Sequence, residues 1–158
     1  MVHRRRGDER GATLVEFAFV LPVFVLFLFA IIDFGWLFTQ FLDVKQGARE
    51  GARLAIVNDC PGNLPPPNAP PSGACSNEIV GKICARTSEL ADADTTVKLA
   101  IPTNEDFTAE VTVEYPARSL TGMMAVFIND KTLRATVRMR REKPVVWQPG
   151  TYSCPPAP

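Results

Sequence analysis

"ATLVEFAFVLPVFVLFLFAIIDFGWLF", residues 12–38, is the stretch on which the fold turns. Phe17 to Ile32 contains no charged residue, and the apolar run reaches back to Ala12 across a single carboxylate, Glu16. As an α-helix rising ~1.5 Å per residue, 12–32 is about 30 Å long, the thickness of a bilayer's hydrocarbon core. One membrane span is predicted. A cleavable secretory signal has a shorter apolar region and small residues three apart at the cut. Here the positions before Ile31 and Trp36 pair Leu28 with Ala30 and Asp33 with Gly35. Pro22 removes a backbone donor inside the run, which predicts a kink or local unwinding.

The flanks orient the span. "MVHRRRGDERG", residues 1–11, sets Arg4, Arg5, Arg6 and Arg10 against Asp8 and Glu9, while Asp33 follows the run directly. Arginine excess before the span predicts a cytoplasmic N-terminus, with the larger part of the chain across the membrane. A net charge of zero and a hydrophobic fraction of 46% conceal this sorting. Cys60, Cys75, Cys84 and Cys154 all follow the span, an even number on the side where disulfides persist. They are disulfide candidates with three possible connectivities, and no C-x-x-C element suggests a metal site.

Beyond Ile32 the pattern becomes amphipathic without a break. Phe34, Leu37, Phe38, Phe41, Val44, Ala48, Ala52 and Ala55 recur at three- and four-residue steps, predicting a helix that continues to about Val57. Gly47 and Gly51, with Ala48 and Ala52 beside them, allow a close approach by another helix or by the chain's own sheet. Residues 58–76 hold six of the fourteen prolines and are read as a loop. "NEIVGKICARTSELADAD", from residue 77, predicts a short helix with Ile79, Ile83 and Leu90 on one side.

Three strands follow. "FTAEVTVEY", Phe107 to Tyr115, alternates apolar and polar residues throughout, and Thr95 to Ile101 and Thr132 to Glu142 are its predicted neighbours. Glu110 and Glu114 on one outward face complement Arg134, Arg138 and Arg140 on another. Met123, Met124, Val126 and Phe127, in the insertion before the last strand, are expected to cap the open end of the sheet; an exposed contact patch is the alternative. The expected architecture is α+β. A leader (1–11) precedes a transmembrane helix continuing into an amphipathic one (12–57), a Pro-rich loop (58–76) and a small extracytoplasmic domain (77–158) with a three-stranded antiparallel meander.

"RGATLVEF", residues 10–17, places a basic leader and a glycine before an apolar helix whose fifth residue is glutamate and sixth phenylalanine. This resembles the processing site of type IV pilin-like proteins. With the Leu21–Pro22 step, Asp33 and "GAREGARLA", residues 47–55, the segment from residue 9 to about 57 resembles the TadE-like family of tight-adherence (Tad, or Flp) pilus systems. "VTVEYP" and "LRATVRMRRE" are similar to that family's distal strands. The resemblance implies a pilin-like fold and a minor pilin or pseudopilin in the bacterial inner membrane, able to enter the pilus. Its implied partners are a prepilin peptidase, other pilin or pseudopilin subunits and the Tad secretion platform. It implies cleavage between Gly11 and Ala12, with Glu16 and Phe17 as the fifth and sixth mature residues.

The chemistry of Glu16 agrees with that role. A carboxylate near the edge of a span needs a partner or a proton. Cleavage frees the α-amino group of Ala12, a cation suited to pair with Glu16 of the same or a neighbouring subunit. It also removes the leader arginines that hold the helix end at the cytoplasmic surface. The competing reading is a carboxylate that snorkels to the interface in an uncleaved, single-pass anchor displaying a disulfide-stapled domain.

An enzyme is not expected. The sole histidine, His3, lies in the leader, and no nucleophile–base pair, phosphate-binding glycine loop or ligand cluster calls for catalysis or a cofactor. Nucleic acid is not an expected partner, because "RRRGDER" and "RMRREK" lack interleaved aromatics.

Overall fold

The structure, a computed structural model, describes residues 8–57, 73–87, 94–102, 108–140 and 145–154. One helix, α1 (Asp8–Val57), carries the apolar run and the amphipathic stretch without interruption, and Pro22 lies inside it. The helix α2 (Gly73–Arg86) starts within the stretch read as loop, four residues before Asn77. Leu90 and Cys60 lie outside the described residues.

The strands β1 (Thr96–Ala100), β2 (Thr108–Pro116), β3 (Thr132–Arg140) and β4 (Gly150–Ser153) form one antiparallel sheet in the order β3-β2-β1-β4. The sheet therefore has four strands, one more than the expected meander. β4 escapes the sequence pattern because "GTYS" is short, begins with glycine and has no apolar alternation; it forms by adding to the free side of β1. A four-residue helix, α3 (Ala125–Ile128), sits between β2 and β3.

The alternation in β2 reflects a sheet covered on one face. Ala109, Val111, Val113 and Tyr115 are buried with Val97 and Leu99 of β1. Above them lie Val44, Ala48, Ala52 and Ala55 of α1 and Ile79, Val80 and Ile83 of α2. On the outer face Glu110 stands opposite Arg138 and Glu114 opposite Arg134. Their ion pairs are 2.5 and 3.5 Å, and Lys98 reaches Glu114 at 2.8 Å. The cationic partners are exposed while Glu110 and Glu114 are mostly covered, and such surface pairs favour the register without supplying much stability.

Gly47 and Gly51 serve the chain's own fold. A Cβ on Gly51 would lie 2.5 Å from Ile83 Cδ1 and 3.0 Å from Val111 Cγ1, and one on Gly47 would lie 2.8 Å from Thr87 Cγ2. Both expected partners, a helix and the sheet, are thus present. Trp147 is fully buried and donates its indole N–H to the Ala55 carbonyl at 2.8 Å, closing the far end of α1. A disulfide joins Cys84 at the end of α2 to Cys154 just after β4. It spans 70 residues, a loop whose closure entropy corresponds to about 4 kcal/mol.

Candidate functional site

α1 has two halves. From Leu14 to Ile32 its large apolar side chains are mostly exposed, and the helix is long and apolar enough to cross a membrane. The segment beyond Ile32 is covered on one side by the folded domain. The junction falls at Asp33, a fully buried carboxylate on a helix whose preceding turns are bare.

The sequence "RSLTGM", residues 118–123, and the following Met124 surround that carboxylate. Oδ1 accepts the backbone N–H groups of Leu120 (3.0 Å) and Thr121 (2.8 Å). Oδ2 accepts the hydroxyls of Ser119 and Thr121, each at 2.8 Å, and the N–H of Met124 at 3.2 Å. Gly122, with φ of 81°, makes the turn that brings amides from both its sides to one carboxylate. Burial by itself pushes the Asp33 carboxyl up. The hydrogen bonds from Thr121, Ser119 and Met124 outweigh that and hold it at about 2, against an ordinary 3.8.

Seven residues on, two helical turns along the same face, Gln40 makes a reciprocal pair with Arg118. Its amide donates to the Arg118 carbonyl at 2.8 Å, and its Oε1 accepts the Arg118 N–H at 3.1 Å. Arg118 also pairs with Asp94 through its guanidinium. Asp33 and Gln40 therefore latch residues 118–124 to the helix immediately past the apolar run. The stretch 11–53 is thus a bare helix, a buried acid and a glycine-lined packing face in succession. The model of the TadE-like protein family matches residues 11–53. No curated protein and no solved structure matches the chain.

Within the TadE-like stretch, Gly11, Ala12, Glu16 and Phe17 all lie exposed on α1. Glu16 is 17 positions before Asp33, about 25 Å along the helix, so the structure does not bring the two acids together. Of the cysteines, Cys84 pairs with Cys154 and Cys75 is also disulfide-bonded. Asp33 is legible in sequence as one element of the TadE-like resemblance, whereas the loop that grips it lies outside the matched residues and Gln40, inside them, is marked by no motif of its own. The available signals are the seven-residue spacing of Asp33 and Gln40 and the hydroxyl-rich, glycine-containing "SLTG".

The loop corrects one expectation. Met123, Val126 and Phe127 are exposed instead of capping the sheet, while Ile128 is buried. With amides of Leu120, Thr121 and Met124 given to Asp33, the loop faces α1 partly with its backbone, leaving these side chains outside. On the opposite part of the domain, a shallow groove of about 460 Å³ runs past Arg49, Arg53, Arg86, Val137 and Met139. Glu50 holds Arg53 through two hydrogen bonds of 2.8 and 3.0 Å. Among the described residues, no group of three or more His, Cys, Asp or Glu could hold a metal ion.

Proposed function

We propose that the chain is a non-enzymatic minor pilin or pseudopilin of a tight-adherence pilus. Residues 12–32 hold it in the bacterial inner membrane with the N-terminus in the cytoplasm, and residues 77–158 form its extracytoplasmic domain. A prepilin peptidase cuts between Gly11 and Ala12. The observation that carries this reading is the extent of the TadE-like match: it begins at Gly11 and continues through the bare apolar helix, Asp33 and the glycine pair. Cleavage leaves an α-amino group four residues from Glu16, about one helical turn, so the new cation and the carboxylate can pair within or between subunits. Loss of Arg4, Arg5, Arg6 and Arg10 frees the helix to move from the bilayer into a filament with other pilin or pseudopilin subunits on the Tad secretion platform.

One observation favours the alternative of an uncleaved anchor displaying the disulfide-stapled domain. α1 begins at Asp8, so the Gly11–Ala12 bond lies within its first turns, and a peptidase must unwind them to reach it. The deciding experiment is N-terminal sequencing of the protein from membranes of cells with and without a co-expressed prepilin peptidase. The expected result is a start at Ala12 that depends on the peptidase. An intact leader in both samples overturns the pilin reading and leaves the anchored domain.

A further inference from the structure

The lobe from Ala117 to Lys131 is tied to the helix at two levels, residues 119–124 at Asp33 and Arg118 at Gln40 two turns on. Five hydrogen bonds converge on Asp33, and the Gln40–Arg118 pair adds two more. The base of the lobe is closed by the Ala117 N–H to Lys131 carbonyl bond at 2.7 Å and by the buried Ala117 and Ile128. What remains outside is apolar: Leu120 is 58% exposed, Met123 55%, Val126 83% and Phe127 69%. Four large apolar side chains on a lobe of this size form a patch that water does not favour. The same lobe has enough buried residues and backbone bonds to hold its shape without them.

The height decides what covers the patch. Counting 21 residues from Ala12 to Ile32 gives a span of about 30 Å, which ends at the boundary between hydrocarbon and headgroups. Asp33 is the next residue, so the lobe it grips lies at that boundary. The helix around it keeps an apolar exterior, with Phe34 69% and Phe38 56% exposed and Trp36 partly so. Tryptophan is a residue that settles among lipid headgroups, as Trp36 would here, and Phe34 and Phe38 extend the apolar surface beside it. The patch thus sits on the segment gripped by Asp33, the first residue past the helix surface that the proposed function assigns to lipid.

We propose that residues 120–127 form a second membrane contact, in which Leu120, Met123, Val126 and Phe127 enter the headgroup and acyl-chain boundary of the leaflet where the span emerges. This inference rests on the membrane-span part of the proposed function. The contact is interfacial: a short turn with an apolar outer surface is held beside the helix, and burial of that surface in lipid adds to the anchoring by the span. It also fixes the tilt of the extracytoplasmic domain relative to the membrane, because helix and lobe touch the bilayer at two points joined by the Asp33 latch.

The test uses the full chain in vesicles of phosphatidylcholine and phosphatidylglycerol, with Trp36→Phe as background, whose remaining buried Trp147 gives a signal that is subtracted, and Phe24→Trp, Phe127→Trp and Val57→Trp as separate reporters. Brominated lipids quench tryptophans in contact with lipid, and acrylamide quenches those in water. Phe24 lies in the apolar run, and Val57 is exposed at the far end of α1. The expected result is lipid quenching of the Phe127→Trp signal at least about threefold above that of Val57→Trp, as befits a buried interfacial side chain. Acrylamide quenching of Phe127→Trp equal to that of Val57→Trp, with Phe24→Trp still quenched by lipid, overturns this inference and leaves the span intact. Protection of Phe127→Trp from both quenchers also overturns it, because a second copy of the chain then covers the patch. Loss of lipid quenching at Phe24→Trp is the distinct result that refutes the span itself.

Discussion

Asp33 is a buried carboxylate that meets only donors, and its replacement tests the latch atom by atom. In Asp33→Asn one side-chain oxygen becomes an amide nitrogen, which must face the N–H groups of Leu120 and Thr121 or that of Met124, although the Ser119 and Thr121 hydroxyls can turn to accept from it. The expected outcome is a released lobe: amide hydrogen exchange at Leu120, Thr121 and Met124 rises by at least about tenfold while β2 and β1 keep their protection. pH acts on the same group. The folded-state value, about 2, lies below the ordinary 3.8, so the stabilisation is complete above about pH 4 and is lost as pH falls toward 2. Exchange at those amides should accelerate over that interval, after correction for the intrinsic pH dependence, and the Asp33→Asn substitution should remove the transition. The sequence displays the acid but not its donors, because three of the five are backbone amides, which every residue but proline carries. A loop that binds through its backbone leaves little trace in side-chain types.

The elements pack through the small residues of α1. In Gly51→Ala a new methyl would meet Ile83 Cδ1 and Val111 Cγ1 at 2.5 and 3.0 Å, and the second neighbour is fixed on a sheet strand. Crowding of this kind costs about 1–3 kcal/mol, whereas alanine gains up to about 1 kcal/mol in helix propensity over glycine. The net expectation is a loss of about 1–2 kcal/mol in urea unfolding of the full chain in detergent. Gly81 on α2 has nothing within 4 Å of its Cβ position, so Gly81→Ala should instead stabilise by up to about 1 kcal/mol. The same elements show how far the sequence can be read. β2 alternates because one of its faces meets a core, and Glu110 and Glu114 foretell their partners on β3 because charge must match across a register. β4 and Trp147 follow another logic. Each is placed by a partner distant in sequence, β1 and Ala55, and neither carries a periodicity of its own.

At the scale of the whole molecule, α1 is a rod of 50 residues, about 75 Å, with one end bare and the other built into a domain. The two ends are joined by continuous helix, and the Asp33 and Gln40 contacts tie the domain's residues 118–124 to it just past the bare end. This separates the roles of the two acids. Asp33 is internal to the fold, and its loss alters the domain's attachment. Glu16 is exposed, and the domain is built from residues that begin 17 positions later. Glu16→Ala should therefore leave the disulfide-bonded domain, its thermal unfolding and membrane insertion unchanged. If the carboxylate pairs with the α-amino group of Ala12 on a neighbouring subunit, the variant should accumulate in the inner membrane, cut at Gly11 as before, while surface pili decline. The comparison to make is membrane-bound against sheared-pilus fractions in cells expressing each form. Equal piliation would show that Glu16 is not an assembly contact, even if Gly11 is cut, since cleavage and pairing are separate steps along the same helix.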